Sequence, residues 1–193
     1  MIDRSNAGMN PPGGDDAREH DALVAFLPLI AQQGSSHDPE SLENSFKILT
    51  QDPFSLEHHQ AEAFLISQFI ANAKDPIEAT KEKFKDTEIF QEVIAVEEAK
   101  HSGGQARDLV KRFGMACPMP GSFQSSLVSI LGSKSYAEAI RETILCGGDS
   151  CSRANLIGAC LGAKFGLKGI PIEWMKKVND IETIIEFSLK CFC

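Results

Sequence analysis

An aspartate followed by proline and, within two residues, by glutamate occurs at Asp38-Pro39-Glu40 and again at Asp75-Pro76-Ile77-Glu78. Each run is a helix start. The aspartate side chain accepts from the unpaired N–H groups of a first helical turn. Proline sits where no donor is needed, and glutamate suits the positive end of the helix dipole. Behind the first start, Leu42, Phe46 and Leu49 form an apolar stripe. Before it, Leu23, Phe26, Leu27 and Ile30 recur at helical spacing and predict a helix ending at Gly34. Strands have no comparable signal. No stretch alternates apolar and polar residues for long between turn signals, and the chain holds a single Tyr and a single Trp.

The same reading predicts a third helix opening at Ser55 with Ala61, Phe64, Leu65, Phe69 and Ala73, and a fourth from Asp75. Further helices are expected over 87–101, 103–113, 123–132, 135–146 and 149–165, with short ones after Pro171 and near 180–190. The expected fold class is all-α, in a single domain over 21–193. Residues 1–20, with Asn10-Pro11-Pro12-Gly13-Gly14-Asp15-Asp16, read as a flexible leader. With 193 residues, 42% of them hydrophobic, the chain has enough apolar material for one core.

Composition excludes several function classes. Nineteen basic against twenty-seven acidic side chains give a charge of −8, with the basic residues scattered, so the phosphate-neutralising stripe of a nucleic-acid binder is missing. No apolar run reaches the ~18 residues of a membrane span, and Met1-Ile2-Asp3-Arg4-Ser5 does not open a secretory signal. The expected location is the cytoplasm, with neither nucleic acid nor membrane as partner. The six cysteines read as thiols, and no CxxC pair suggests a zinc ribbon or a thioredoxin-type centre. The end Lys190-Cys191-Phe192-Cys193 reads either as a prenylation-like tail or as a frayed helix end. His58-His59 with Glu62 places His58 and Glu62 one helical turn apart, a spacing that two-ligand metal sites use and that far more often marks a solvated helix face. His20, His37 and His101 have no partner at diagnostic spacing.

The most unusual stretch is Gly147-Gly148-Asp149-Ser150-Cys151-Ser152-Arg153. Asp149 or Ser150 can cap the following helix, but capping alone explains neither the two glycines nor Ser152 and Arg153. Gly158, Gly162 and Gly166 then fall four apart. Each interior glycine costs a helix roughly 0.8–1 kcal/mol, which predicts a central helix closely approached by another, with Cys160 as a small core side chain.

The run "GGDSCSRANLIGACLGAKFGLKGIPIEW", with "PGSFQSSLVSIL" and "YAEAIRETILCGGD" before it, resembles the C-terminal part of the ADP-ribosylglycohydrolase family. It is most like the branch of the J-crystallins and selenoprotein J. The resemblance implies an orthogonal multi-helix bundle with two magnesium ions in a central cleft, cleaving N- or O-glycosidic bonds of ADP-ribosyl substrates. It puts Asp149 at the first metal-binding acid and in the catalytic centre. Cys151 stands where the second acid is expected, and Ser152 where a threonine ligand is. Gly147, Gly148 and Arg153 fall to substrate binding, with Arg153 facing a phosphate or a neighbouring acid.

Two departures matter. A thiolate is a soft donor that magnesium accepts poorly, so Cys151 damages one position. The family's N-terminal acidic "TDD"-type and "GDALG"-like motifs are also missing, and Asp15-Asp16 has different surroundings. The chain reads as the family without its first portion, as a weak or inactive hydrolase or, alternatively, a non-catalytic crystallin-like structural protein. An uncovered apolar face near 123–132 and 149–165, and self-association through it, are expected. Cys151 at a helix start also admits redox chemistry, with Cys146 as its nearest partner in sequence.

Overall fold

A computed structural model describes residues 18–33 and 38–190. Among them lie eleven α-helices: α1 (Leu23–Gln33), α2 (Pro39–Phe46), α3 (Pro53–Ile70), α4 (Pro76–Lys83), α5 (Glu88–His101), α6 (Ala106–Phe113), α7 (Gly121–Gly132), α8 (Tyr136–Cys146), α9 (Ser150–Phe165), α10 (Ile172–Met175) and α11 (Ile181–Lys190). No strand occurs among the described residues, where the β-type pairing is an isolated bridge between Glu19 and Pro118. The all-α expectation holds.

The aspartate–proline starts behave as their chemistry requires. Asp38 and Asp75 cap α2 and α4, accepting from the Ser41 and Glu78 amides at 2.9 Å each. A third start of this kind, Asp52-Pro53, opens α3. Asp52 accepts from the Ser55 amide at 2.9 Å, so Ser55 lies inside the first turn instead of before it. α6 begins at Ala106 and not at 103, because Gly103 at φ +79° and Gly104 form the turn that ends α5.

The fold takes in part of the expected leader. The Met119 amide donates to the Arg18 carbonyl at 2.7 Å, and His20 is wholly buried in a 3-10 turn, His20–Ala22, that precedes α1. Residues 1–17, the Gly34 stop, His37 and the Cys191 and Cys193 tail lie outside the described residues.

α9 is the centre of the bundle and packs against α3, α7 and α8. Leu156, Ile157, Cys160 and Leu161 on it are fully buried, as expected for Cys160. Its glycines do something other than predicted. A Cβ on Gly158 would meet the Tyr136 hydroxyl at 3.5 Å, and one on Gly162 the Tyr136 ring at 4.0 Å, so a side chain and not a helix backbone faces them. On the same half-open side, Ala159, Gly162 and Ala163 join Leu27, Ile30 and Ile66 in an apolar groove of about 500 Å³. α7, expected beside an open face, is instead interior: Phe123, Leu127 and Val128 are buried.

Candidate functional site: the glycine corner before α9

α8 ends at Cys146, and the chain turns through Gly147 at φ +78° and Gly148 at φ +68°. Both lie in the left-handed region that glycine enters freely. Gly148 has a second reason to be glycine: a Cβ there would sit 2.2 Å from the Met115 carbonyl oxygen. The close approach lets that oxygen accept the Asp149 amide at 2.7 Å.

Asp149 caps α9. Its Oδ1 accepts the Ser152 amide at 3.2 Å and its Oδ2 the Ser152 hydroxyl at 2.7 Å. The Ser152 hydroxyl bond, outweighing partial burial, holds the carboxyl below the usual aspartate range. Ser152 also lies 3.4 Å from the Cys117 sulfur. No spacing in the sequence marks Cys117, which precedes the run that carries the family resemblance. Cys151 is exposed, while Asp149 and Ser152 share the inner side of the corner with Cys117.

Arg153 is fully buried and faces inward. Its Nε donates to Thr143 Oγ1 at 3.0 Å, Nη1 to the Met115 carbonyl at 3.1 Å, and Nη2 to the Thr143 and Gly147 carbonyls at 3.1 and 2.5 Å. The guanidinium therefore ties together the last turn of α8, the glycine corner and the loop at Met115. These four bonds go to the protein's own oxygens.

Two magnesium ions do not fit the described residues. Among them no group of three or more His, Cys, Asp or Glu could hold a metal ion. At the corner, the hard side-chain donors are one carboxylate, already bonded to Ser152 through both oxygens, and the hydroxyls of Ser150 and Ser152. Sulfur from Cys117 or Cys151 is a poor ligand for this ion. The redox reading of Cys151 also loses its partner. Cys146 is buried, and burial together with Glu142 pushes its thiol up, away from the thiolate that exchange needs.

A second polar cluster lies inside the bundle. His58, His59 and Glu62 of α3 are wholly buried, so the solvated-face reading of this trio is wrong, and the metal-pair reading fails because His58 and Glu62 pair elsewhere. His58 bonds the Phe54 carbonyl at 2.8 Å through Nδ1 and Glu92 at 2.9 Å through Nε2. Burial opposes a charge on the ring, and the bond and charge of Glu92 overcome it and raise the pKa. Glu62 meets His59 at 2.8 Å and His20 at 2.5 Å. Burial would raise the Glu62 carboxyl, but the His20 charge and the bonds from His20 and His59 bring it down to about 2. His20 has a partner after all, one no local pattern discloses.

The chain is thus an all-helical bundle whose central helix starts at a double-glycine aspartate corner. The family model for ADP-ribosylglycohydrolase matches residues 3–192, and the chain belongs to that family. Two of its relatives are crystallins of Tripedalia cystophora. Crystallin J1A is 27% identical over 177 residues, covering 91% of this chain and 55% of the crystallin. Crystallin J1B is 23% identical over 178 residues with the same coverages. The chain thus spans about half the length of these relatives. Among solved structures, a chain of an "ADP-ribosylglycohydrolase-related protein complex" superposes with TM-score 0.71 at 19% identity, over 99% of this chain and 65% of that one, and shares the fold.

Proposed function

We propose that this chain is an ADP-ribosylglycohydrolase-family domain, descended from magnesium-dependent hydrolases of ADP-ribosyl glycosidic bonds, that itself cleaves such bonds weakly or not at all. The donor set at the corner carries this reading: one aspartate, occupied as a helix cap, two serine hydroxyls, and thiols where a hard cation needs oxygen. An ADP-ribosyl-type small molecule is the ligand class, approaching Gly147, Gly148 and Asp149, and magnesium is the ion of the ancestral site, for which Asp149 and Ser152 alone are an incomplete donor set. The chain acts in the cytoplasm, with neither nucleic acid nor membrane as partner. Among the described residues, no helix is long and apolar enough to cross a membrane.

The test is release of ADP-ribose from an ADP-ribosylated substrate with Mg²⁺ present. The expected rate is no higher than that of the Asp149→Ala variant, and clear turnover above that control refutes the proposal. A second readout is melting temperature, since an ion at a hundredfold excess over its dissociation constant would add about 2.7 kcal/mol. No such rise is expected.

A second reading, a crystallin-like structural protein that self-associates, is favoured by the distal helices. No residue of α11 is buried. Leu167, Ile172, Val178, Ile184, Phe187 and Leu189 stand between 45% and 62% exposed. Of these, Leu167, Val178, Ile184 and Leu189 line one apolar groove with Trp174, the kind of exposed apolar surface that marks an association site. The occupant is a second copy of the chain. Size-exclusion is expected to show a dimer growing with concentration and lost in Phe187→Glu/Leu189→Glu; a monomeric peak at every concentration eliminates this reading.

A further inference from the structure

Between α1, α3 and α9 runs an apolar groove that no helix among the described residues occupies. Ile70 and Leu167, both exposed, complete the lining begun by Leu27, Ile30, Ala159 and Ala163. Gly162 lies among them, and among the described residues no backbone from another element comes within 4 Å of where a Cβ on it would project. Another helix can therefore lie close against α9 there. Leaving about 500 Å³ of apolar groove wet is unfavourable, and exposed apolar surface of this kind marks an association site.

The groove has one charged edge. α1 carries no charged residue, and α3 carries none after Glu62. On α9 and just after it, Lys164 and Lys168 follow the lining residues Ala163 and Leu167; both lysines are exposed, and neither has a carboxylate partner among the described residues. α11 is the element that matches this edge. Ile184 and Phe187, 48% and 61% exposed, stand one turn apart on it, with Glu182 and Glu186 exposed alongside. Glu186 holds Lys190 at 2.6 Å in a surface pair, the kind that exchanges partners at little cost. A chain of net charge −8 repels its own copies, so two copies approach where lysines of one can meet glutamates of the other.

In its own chain α11 faces a different groove, the one with Trp174, and Leu167 lines both. Helix and receiving groove thus sit side by side on one apolar strip, an arrangement that a two-fold axis can pair twice over. We propose that α11 of one copy docks in the α1–α3–α9 groove of a second, with Ile184 and Phe187 entering the groove and Glu182 and Glu186 meeting Lys164 and Lys168, while the second copy returns the same contact. This docking rests on the self-associating reading above and adds to it the surface that receives the helix.

Sedimentation equilibrium of the full chain tests it, with variants at exposed positions. Ala163→Glu puts a carboxylate in the groove against those of α11 and is expected to raise the dimer dissociation constant about tenfold, while helix content by circular dichroism stays that of the natural chain. Lys164→Glu/Lys168→Glu and Glu182→Lys/Glu186→Lys are each expected to weaken the dimer about tenfold on their own. An equimolar mixture of these two variants is expected to return to within about twofold of the natural affinity, because each groove then meets a helix of opposite charge. A chain monomeric at every concentration overturns the docking together with self-association itself. A dimer that Ala163→Glu and the lysine reversals leave unchanged, or a mixture no tighter than its components, overturns the docking alone and leaves the self-associating reading standing.

Discussion

Replacing Arg153 with methionine is expected to lower the stability of the domain by about 3–5 kcal/mol, read from urea unfolding. The loss comes from the oxygens left behind. The Thr143 carbonyl belongs to the last turn of α8, where helix carbonyls have no partner of their own, and the Gly147 carbonyl lies in the corner. Both receive the Arg153 Nη2 group, and the Thr143 hydroxyl oxygen receives Nε. Stranding a buried acceptor costs roughly 1–3 kcal/mol each, and methionine fills the volume without supplying a donor. Arg153→Lys should recover only a fraction, because one ammonium cannot reproduce the planar fork that reaches Thr143, Met115 and Gly147 together. A methionine variant within about 1 kcal/mol of the natural chain would show that these bonds hold little of the fold.

Gly148→Ala should cost about 3–4 kcal/mol, by two additive routes. Alanine is strained at φ +68°, and its Cβ would overlap the Met115 carbonyl, which belongs to backbone and cannot swing aside. The corner must open, and the bond from the Asp149 amide to that carbonyl goes with it. Gly166→Ala is the matched control. That glycine has φ +65°, and nothing lies within 4 Å of where a methyl group would project, so only the conformational strain of about 1 kcal/mol applies. Thermal or urea unfolding of the two variants side by side separates collision from strain; equal losses would mean Met115 yields and the close approach is unimportant.

These effects concern residues whose types are visible in the sequence but whose reasons are not. Asp38 and Asp75 announce their helices because capping is local chemistry, complete within four residues. Asp52 acts in the same way, but the Ser55 that it bonds is itself a capping type and draws the expected boundary three residues too late. The corner stands out by its resemblance to a family motif, and Asp149 caps α9, the local role that its residue type and position allow. The duty of Arg153 is not legible in advance, since its partners at Met115 and Thr143 come together only when α8 and the preceding loop fold back. The histidines escape local reading for a related reason. α3 is buried nearly all round, so polarity there reports an internal partner instead of a wet face, and His20 arrives from a separate turn.

Arg153 and the paired glycines give the corner a duty that owes nothing to chemistry on a substrate. A descendant that had given up hydrolysis would still need Gly148 for clearance, Asp149 to begin a helix and Arg153 to bind the bend together. Selection for foldability alone is enough to preserve the sequence signature, so the motif's survival in a chain reports ancestry and architecture, and turnover has to be measured separately.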